Sequence, residues 1–386
     1  MKRAVIVDAV RTPIGRAHKE KGFFRDVRSD DLATIVIEAL VARTGIDPEE
    51  IEDVLLGNTQ QQAEQGFNVA RSVALLAKLP MHTGGATINR LCGSSLQAIN
   101  QAAHSIIAGA EDVQIVGGLE HMHHIPMDAD LDINPRLFQR TSKAALHMGI
   151  TAEFLAQTQD ISREQQDAFA LRSHQLAAAA QANGEFAAEI IPVWGRDEAG
   201  NRWLVDRDQC VRPDTSAEAL AALKPAFMPP PMGTVTAGNS SPLNDGAAAL
   251  LIMSEEKANA LGLKPIARVL STAVVGVEPS VMGTGPVPAT LKALKRAGLK
   301  LSDIDLIELN EAFAAQAIAC MRMLKLDESK VNVRGGAIAI GHPLGASGAR
   351  ITTTLLHNMI SRDAKLGLAT MCIGVGQGIA TVFERV

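Results

Sequence analysis

Thr87-Ile88-Asn89-Arg90-Leu91-Cys92-Gly93-Ser94-Ser95 places a single cysteine between a β-type run and a helix. Ala86-Thr87-Ile88 reads as a strand. Leu96, Ile99, Ala102, Ala103, Ile106 and Ile107 then recur at helical spacing until Gly109 stops them. Cys92 therefore lies at a strand-to-helix junction. The free N–H groups and positive dipole end of the helix favour a thiolate there. A thiolate so placed is a candidate nucleophile with backbone donors nearby for an oxyanion. The competing reading is a core cysteine packed under the helix, and the rest of the chain must decide.

Upstream, Val5–Val10 reads as a strand ending in the turn Arg11-Thr12-Pro13-Ile14-Gly15. Ser29 or Asp30 can cap a helix with Leu32, Ile35, Val36, Ala39 and Leu40 on its apolar face, closed by Gly45. Asp47-Pro48-Glu49-Glu50 opens a short helix, Val54–Gly57 is a buried strand, Gln60–Gln65 is loop and Asn68–Leu76 is helical. Downstream, Val113–Gly118 is a further strand. Strands alternating with helices predict a layered α/β fold with largely parallel strands.

From Glu120 to Pro242 the rhythm changes. Met, His, Pro and Asp cluster between His121 and Pro135. Ser162-Arg163-Glu164-Gln165 is a capping box that opens a long helix ending at Asn183-Gly184. Pro229-Pro230-Pro231 closes the region with a stiff turn. Residues 120–242 are expected to form an inserted, loop-rich subdomain, and long ordered insertions often carry ligand contacts.

Strands at Leu250–Met253 and Ala267–Leu270 follow, and the chain then repeats its own pattern. Pro288–Gly298 is a helix with Leu291 and Leu294 apolar. Ser302–Asn310 parallels Asp47–Asn58, and Asn332-Val333-Arg334-Gly335-Gly336, leading to a helix at Ala349–Leu356, parallels the Cys92 unit. Leu366–Cys372 parallels Val113–Gly118. The pattern predicts two copies of one α/β unit. The expected halves are 1–119 with 243–266, and 267–386. A site is expected where their equivalent turns converge.

Composition narrows the function classes. The 386 residues are 47% hydrophobic and 20% charged, ordinary for a globular protein. A net charge of -5 without a basic run gives no reason to expect nucleic acid as a partner. Cys92, Cys210, Cys320 and Cys372 are scattered without CxxC spacing, which points to free thiols in a reducing, cytoplasmic setting and not to metal. The apolar run after Met1 is short and broken by Asp8, so it reads as a strand and not a leader. No stretch approaches the roughly 20 apolar residues of a transmembrane span. The absence of GxGxxG and GxxxxGK[ST] argues against dinucleotide or ATP chemistry.

Three further stretches carry chemistry. Asn310-Glu311-Ala312-Phe313 follows a buried strand, and Gly341-His342-Pro343-Leu344-Gly345 sets a histidine between glycines. Met371-Cys372-Ile373-Gly374-Val375-Gly376-Gln377-Gly378 puts a second cysteine at a strand end before a glycine-rich loop. Asn310 alone could be a helix cap, His342 a turn residue and Cys372 core. All of them, with Cys92, sit at junctions of a duplicated unit, which favours one shared site.

These motifs, with Asn89-Arg90-Leu91-Cys92-Gly93-Ser94 and the continuation Ala346-Ser347-Gly348, resemble those of the thiolases in the family's order, across Val5–Val386. Gly117-Gly118-Leu119-Glu120-His121-Met122 departs from the commoner form, which has a serine before the methionine. That variant and the C-terminal Ile379–Val386 are similar to the thiolase β-subunits of bacterial fatty acid oxidation complexes. The resemblance implies a five-layered αβαβα thiolase fold built from duplicated βαβαβαββ halves, and a homodimer. It also implies an α2β2 complex with an α-subunit carrying hydratase and 3-hydroxyacyl-CoA dehydrogenase activities. Cys92 would attack a 3-ketoacyl-CoA after His342 takes its proton, and Cys372 would act as acid and base at the acetyl carbon. Asn310 would position a water, and the N–H groups of Cys92 and Gly374 would hold the oxyanion. His147, Met148, Gly238 and Ser241 would line the substrate and CoA path. CoA enters as co-substrate, and no permanent cofactor is implied.

Three alternatives compete with a degradative thiolase. A biosynthetic acetoacetyl-CoA thiolase would run the same site towards condensation. A decarboxylating condensing enzyme would lack Cys372. A non-catalytic lipid-binding relative should have lost Cys92 or His342.

Overall fold

A computed structural model describes residues 2–386; Met1, at the start of the expected first half, lies outside the described residues. The first half contains β1 (Ala4–Arg11), the short β2 (Gly15–Arg16), α1 (Ser29–Thr44), β3 (Asp53–Gly57) and α2 (Val69–Leu76). It continues through β4 (Ala86–Ile88), α3 (Ser94–Ala108) and β5 (Val113–His121). The intervening region holds α4 (Met148–Thr158), α5 (Arg163–Ala182), the hairpin of β6 (Val193–Arg196) and β7 (Arg202–Val205), and α6 (Ala217–Ala221). The chain returns in β8 (Asn244–Ser254) and α7 (Glu255–Ala260). The last part comprises β9 (Ala267–Gly276), α8 (Pro286–Ala297), β10 (Leu306–Leu309), α9 (Ala314–Leu324), α10 (Ser347–Ser361), β11 (Leu366–Ile373) and β12 (Gln377–Arg385).

The strand order is β10-β11-β12-β9-β1-β8-β5-β3-β4, with β2 on β8. The two half-sheets join through β1 and β9 over only two residue pairs, Val5 with Arg268 and Ile6 with Ala267. Alternation along β1 shows how the layers arise. Val5, Val7 and Val10 pack with Leu32, Val36, Leu40 and Val73 of α1 and α2. Ala4, Ile6 and Ala9 face the opposite way, into a core with Ile99 and Ala103 of α3 and Ile351 and Leu355 of α10. A third core joins Leu309, Leu368, Ala380 and Val382 to α8 and α9. Helices, half-sheet, helices, half-sheet, helices make the five layers expected.

The central pair α3 and α10 approach very closely. A Cβ on Gly348 would stand 2.3 Å from Leu96 N. Ala349 N donates to Ser95 Oγ at 2.8 Å. The N-termini of both helices thereby meet in the middle of the molecule.

Several local expectations need correction. The strands are not largely parallel: only β3–β4, β3–β5 and β10–β11 are. The antiparallel return β11–β12 reverses the chain in a short turn, and β5–β8 is closed across the whole intervening region. Neither Ser29 nor Asp30 caps α1; Arg28 holds that position with no side-chain cap, while Ser29 N donates to Glu64 Oε1 at 2.8 Å. Leu291 is 54% exposed, because α8 buries Val287, Ala289, Thr290, Ala293 and Leu294 instead. The second copy of the cysteine unit has no strand before its turn. There, the Asn332 side chain takes the place of a strand, with Nδ2 donating to Leu309 O at 2.8 Å and Oδ1 accepting from Leu309 N at 2.9 Å. The capping box at Ser162 and Gln165 forms as expected.

Candidate active site

The cysteine turn is held from within. Leu91 adopts φ 46°, Arg90 N donates to Ser94 Oγ at 2.9 Å, and Ser94 Oγ donates to Leu91 O at 2.6 Å. A Cβ on Gly93 would meet Ile373 Cδ1 at 2.5 Å, so the end of β11 lies directly on this turn. The backbone N–H groups of Gly374 and of Cys92 itself favour the charged form of the Cys92 sulfur. The expectation of a resting thiolate is overturned. Burial dominates those donors and pushes the thiol up to about 11. Any reaction of Cys92 as a thiolate would therefore require a base to take its proton.

His342 lies on a turn that only glycine can open. Gly341 has φ +125°, and a Cβ there would touch Ile14 and Asn244. The His342 N–H donates to Asn244 Oδ1 at 2.8 Å, and ring Nδ1 lies 2.5 Å from Ser347 Oγ, at the start of α10. Burial first, then the positive charge of Arg350, push the imidazole down to about 3. Asn310 Nδ2 is 3.5 Å from both ring nitrogens. Equal distances align the amide with neither nitrogen, and 3.5 Å is long for a hydrogen bond, so Asn310 rests against the ring without a directed bond to it. Asn310 Oδ1 is buried without a protein partner.

Cys372 is buried with Ala152, Val235, Met282, Ala312 and Phe313, and Met148 packs against the group. Burial, then the charge on Cys92, hold its thiol well above the ordinary value. The structure thus gathers Cys92, His342, Asn310 and Cys372 from both halves. Met148 joins them, its Sδ 3.3 Å from where a Cβ on Gly374 would sit. The Gly238–Ser241 turn is sewn to the Asn310 motif by Ser241 N to Ala312 O at 3.0 Å and Ala314 N to Asn239 O at 2.9 Å. His147 is exposed at the N-cap of α4, at the rim.

Glu120 joins the halves beneath the site. Its Oε1 accepts from Asn58 Nδ2, Gln60 N and Gln65 Nε2 at 3.1, 3.3 and 2.9 Å. Its Oε2 accepts from Thr59 N, Thr59 Oγ1 and Gly345 N at 3.0, 2.6 and 2.9 Å. The carboxylate thereby fixes the turn that carries His342. An acid near the end of a largely apolar strand was the available signal. Ser347, Asn244 and Phe227 were also missed. Phe227 lies edge-on to Phe313 with centroids 5.9 Å apart, and no local pattern announces it.

Residues 4–256 match the family described as thiolase, N-terminal domain, and residues 263–385 match thiolase, C-terminal domain. The chain belongs to the thiolase family. It is 57% identical to a 3-ketoacyl-CoA thiolase of Pectobacterium carotovorum and 56% identical to one of Aliivibrio fischeri, covering all of both chains in each case. The crystal structure of the Bacillus anthracis acetyl-CoA acetyltransferase superposes with a TM-score of 0.90 at 41% identity, over 100% of this thiolase and 99% of that chain.

Proposed function

We propose that this chain is a degradative 3-ketoacyl-CoA thiolase, cleaving a 3-ketoacyl-CoA with CoA to acetyl-CoA and a shortened acyl-CoA. The observation that carries this reading is the meeting of two thiols in different settings. Cys92 lies in a turn whose backbone N–H groups favour a charged sulfur, and Cys372 sits in an apolar pocket near it. The identity to 3-ketoacyl-CoA thiolases favours cleavage over a biosynthetic acetoacetyl-CoA role.

His342 Nε2 takes the Cys92 proton as the sulfur attacks the ketone carbon. The developing alkoxide is held by the N–H groups of Cys92 and Gly374, where losing one such donor costs about 3 kcal/mol of barrier. The C2–C3 bond then breaks and leaves the acyl group on Cys92 and an acetyl-CoA enolate. His342 and a water bound by Asn310 Oδ1 stabilise the enolate oxygen. Cys372, kept protonated by burial, gives its proton to the enolate carbon. Its thiolate then deprotonates incoming CoA, whose sulfur attacks the acyl-Cys92 thioester and frees the nucleophile. Met148, Gly238 and Ser241 line the pantetheine and acyl path, with His147 at its mouth.

The assembly reading is a homodimer bound to two α-subunits with hydratase and 3-hydroxyacyl-CoA dehydrogenase activities, in the cytoplasm. Supporting the dimer, β4 is an edge strand, and Phe67 beside it is 100% exposed. Supporting a partner, Leu131 is 64% exposed and no residue from Leu131 to Phe138 is buried. No described helix is long and apolar enough to cross a membrane. The divisions 1–119 with 243–266, 120–242 and 267–386 are proposed as the two halves and the insertion.

The test is peptide mass analysis after mixing with a 3-ketoacyl-CoA. The acyl group is expected on Cys92, and Cys92→Ser should lose nearly all turnover. Acylation of Cys210 or Cys320 with Cys92 free would reverse the assignment.

A further inference from the structure

Behind the site lies a guanidinium the mechanism has not used. Arg350 is 0% exposed, and none of Nε, Nη1 or Nη2 has a hydrogen-bond partner among the described residues. A buried cation without satisfied donors is costly and needs a reason. Its nearest carboxylate, Glu308 Oε2, is 4.0 Å from Nη1.

Position supplies the reason. Ser347, bonded to His342 Nδ1, and Arg350 are three residues apart on α10, so they are neighbours on one helix face. Glu308 and Asn310 are two residues apart on β10 and its extension, which continues through Asn310 N to Thr370 O at 3.0 Å. They therefore point to the same side. Asn310 lies over His342, and Glu308 faces Arg350. The second pair repeats the first, one step deeper.

We propose that Arg350, set against Glu308, is the positioning residue of the His342 base, fixing a positive charge behind the ring so that it meets Cys92 as neutral imidazole. This rests on the reading of His342 as the base. A charge at this place disfavours imidazolium before the attack begins and returns the proton promptly once the acyl group has moved.

The groups around the ring agree. Cys92 and Cys372 approach from the loops ahead of α3 and after β11, both held as thiols by burial. Glu120 reaches the turn through Gly345 N, and its carboxylate acts on Cys92. Glu308 is pushed by burial up to about 8, so near neutral pH it does not fully offset Arg350. Arg11, Glu189 and Asp208 form a separate buried ion set that also acts on Arg350.

The experiment measures acylation of Cys92 by acetyl-CoA from pH 5 to 9 in the full-length protein. Arg350→Met is expected to move the acidic limb to higher pH than in the wild type, so that acylation falls towards pH 5 relative to its own rate at pH 8, a fall the wild type does not show; burial still holds the ring below its ordinary value in the variant. Arg350→Lys should keep the wild-type shape. If Arg350→Met does not fold, Arg350→Gln, smaller and still polar, is read in its place. Loss by one constant factor at every pH, or an equal limb in the Lys variant, overturns the proposal. His342→Ala separates the two readings. Wild-type acylation in that variant removes the base assignment itself, whereas an inactive His342→Ala with no limb in the Arg350 variants removes only this inference.

Discussion

Replacing Gly348 by alanine tests whether the central helix pair sets the catalytic geometry. The new Cβ would lie 2.3 Å from Leu96 N, 2.6 Å from Leu96 Cβ and 2.9 Å from Leu96 Cα. Two of these three atoms belong to the backbone of α3, so no side-chain rotation relieves the clash. Ordinary contact begins at 3.4 Å, so the helices must part locally by about 1.1 Å, the difference between 3.4 and 2.3. The Cys92 turn precedes α3, and His342 precedes α10. Parting the helices therefore moves Cys92 away from His342. A misplacement of about 1 Å costs on the order of 100-fold in rate, and forced overpacking costs about 1–3 kcal/mol of stability. The control is Gly262→Ala. Gly262 has φ +67° with open space around it, so its cost of about 1–2 kcal/mol is conformational and remote from the site. Steady-state thiolysis and thermal unfolding are measured on both variants. Similar melting losses are expected, with a roughly 100-fold fall in kcat for Gly348→Ala alone. A Gly348→Ala enzyme within threefold of wild-type kcat would refute the reasoning.

Other outcomes follow from the same structure. His121, His174 and His342 are held by burial near 4, 4 and 3, below their ordinary 6.5. The unfolded chain takes up protons that these native histidines refuse, so each contributes stability that is lost as pH drops below about 6.5, by up to about 1.4 kcal/mol per pH unit. The raised carboxyls of Glu308 and Asp245 act in the opposite sense over the same range, so the check compares His174→Gln with wild type in denaturant titrations at pH 7 and 5; the variant should lose less, or gain more, stability than wild type on going to pH 5, and an equal change would contradict it. Cys372→Ala should still be acylated at Cys92 but should stop exchanging acetyl-CoA methyl protons with deuterated water, and exchange at the wild-type rate would return Cys372 to a packing role. Glu120→Gln sets an amide N–H donor against donors from Thr59 or Gly345 and should lower both melting temperature and kcat, at a cost of about 3 kcal/mol. Phe67→Lys should shift light scattering towards the monomer, and an unchanged mass would move the dimer contact away from β4.

Local features were legible where one element decides them. The helix after Cys92 announces itself by Leu96, Ile99 and Ala103 and by the Gly109 stop, and Gly109 takes φ +80°. The long insertion helix was readable from Ser162 and Gln165. What the chain did not announce depends on partners distant in sequence. The protonation of Cys92 was misjudged because a helix terminus is local, whereas burial comes from the whole fold. Leu291 was misassigned because periodicity shows a helix face but not which side the sheet covers. The missing strand near Asn332 was invisible because a side-chain amide can stand in for a backbone pair.

The position of β1 between β8 and β9 bears on synthesis at the ribosome. The first strand made is a central strand of the finished sheet, and its neighbours begin at Asn244 and Ala267. At about 5–20 residues per second, β1 waits roughly 13–50 s between its own emergence and that of its last partner. For that interval Val5, Ile6 and Val10 have no sheet to join, and a short apolar segment with open edges is what chaperones bind. The arrangement that seats Cys92 between the two halves thus also makes the N-terminal residues among the last to find their place.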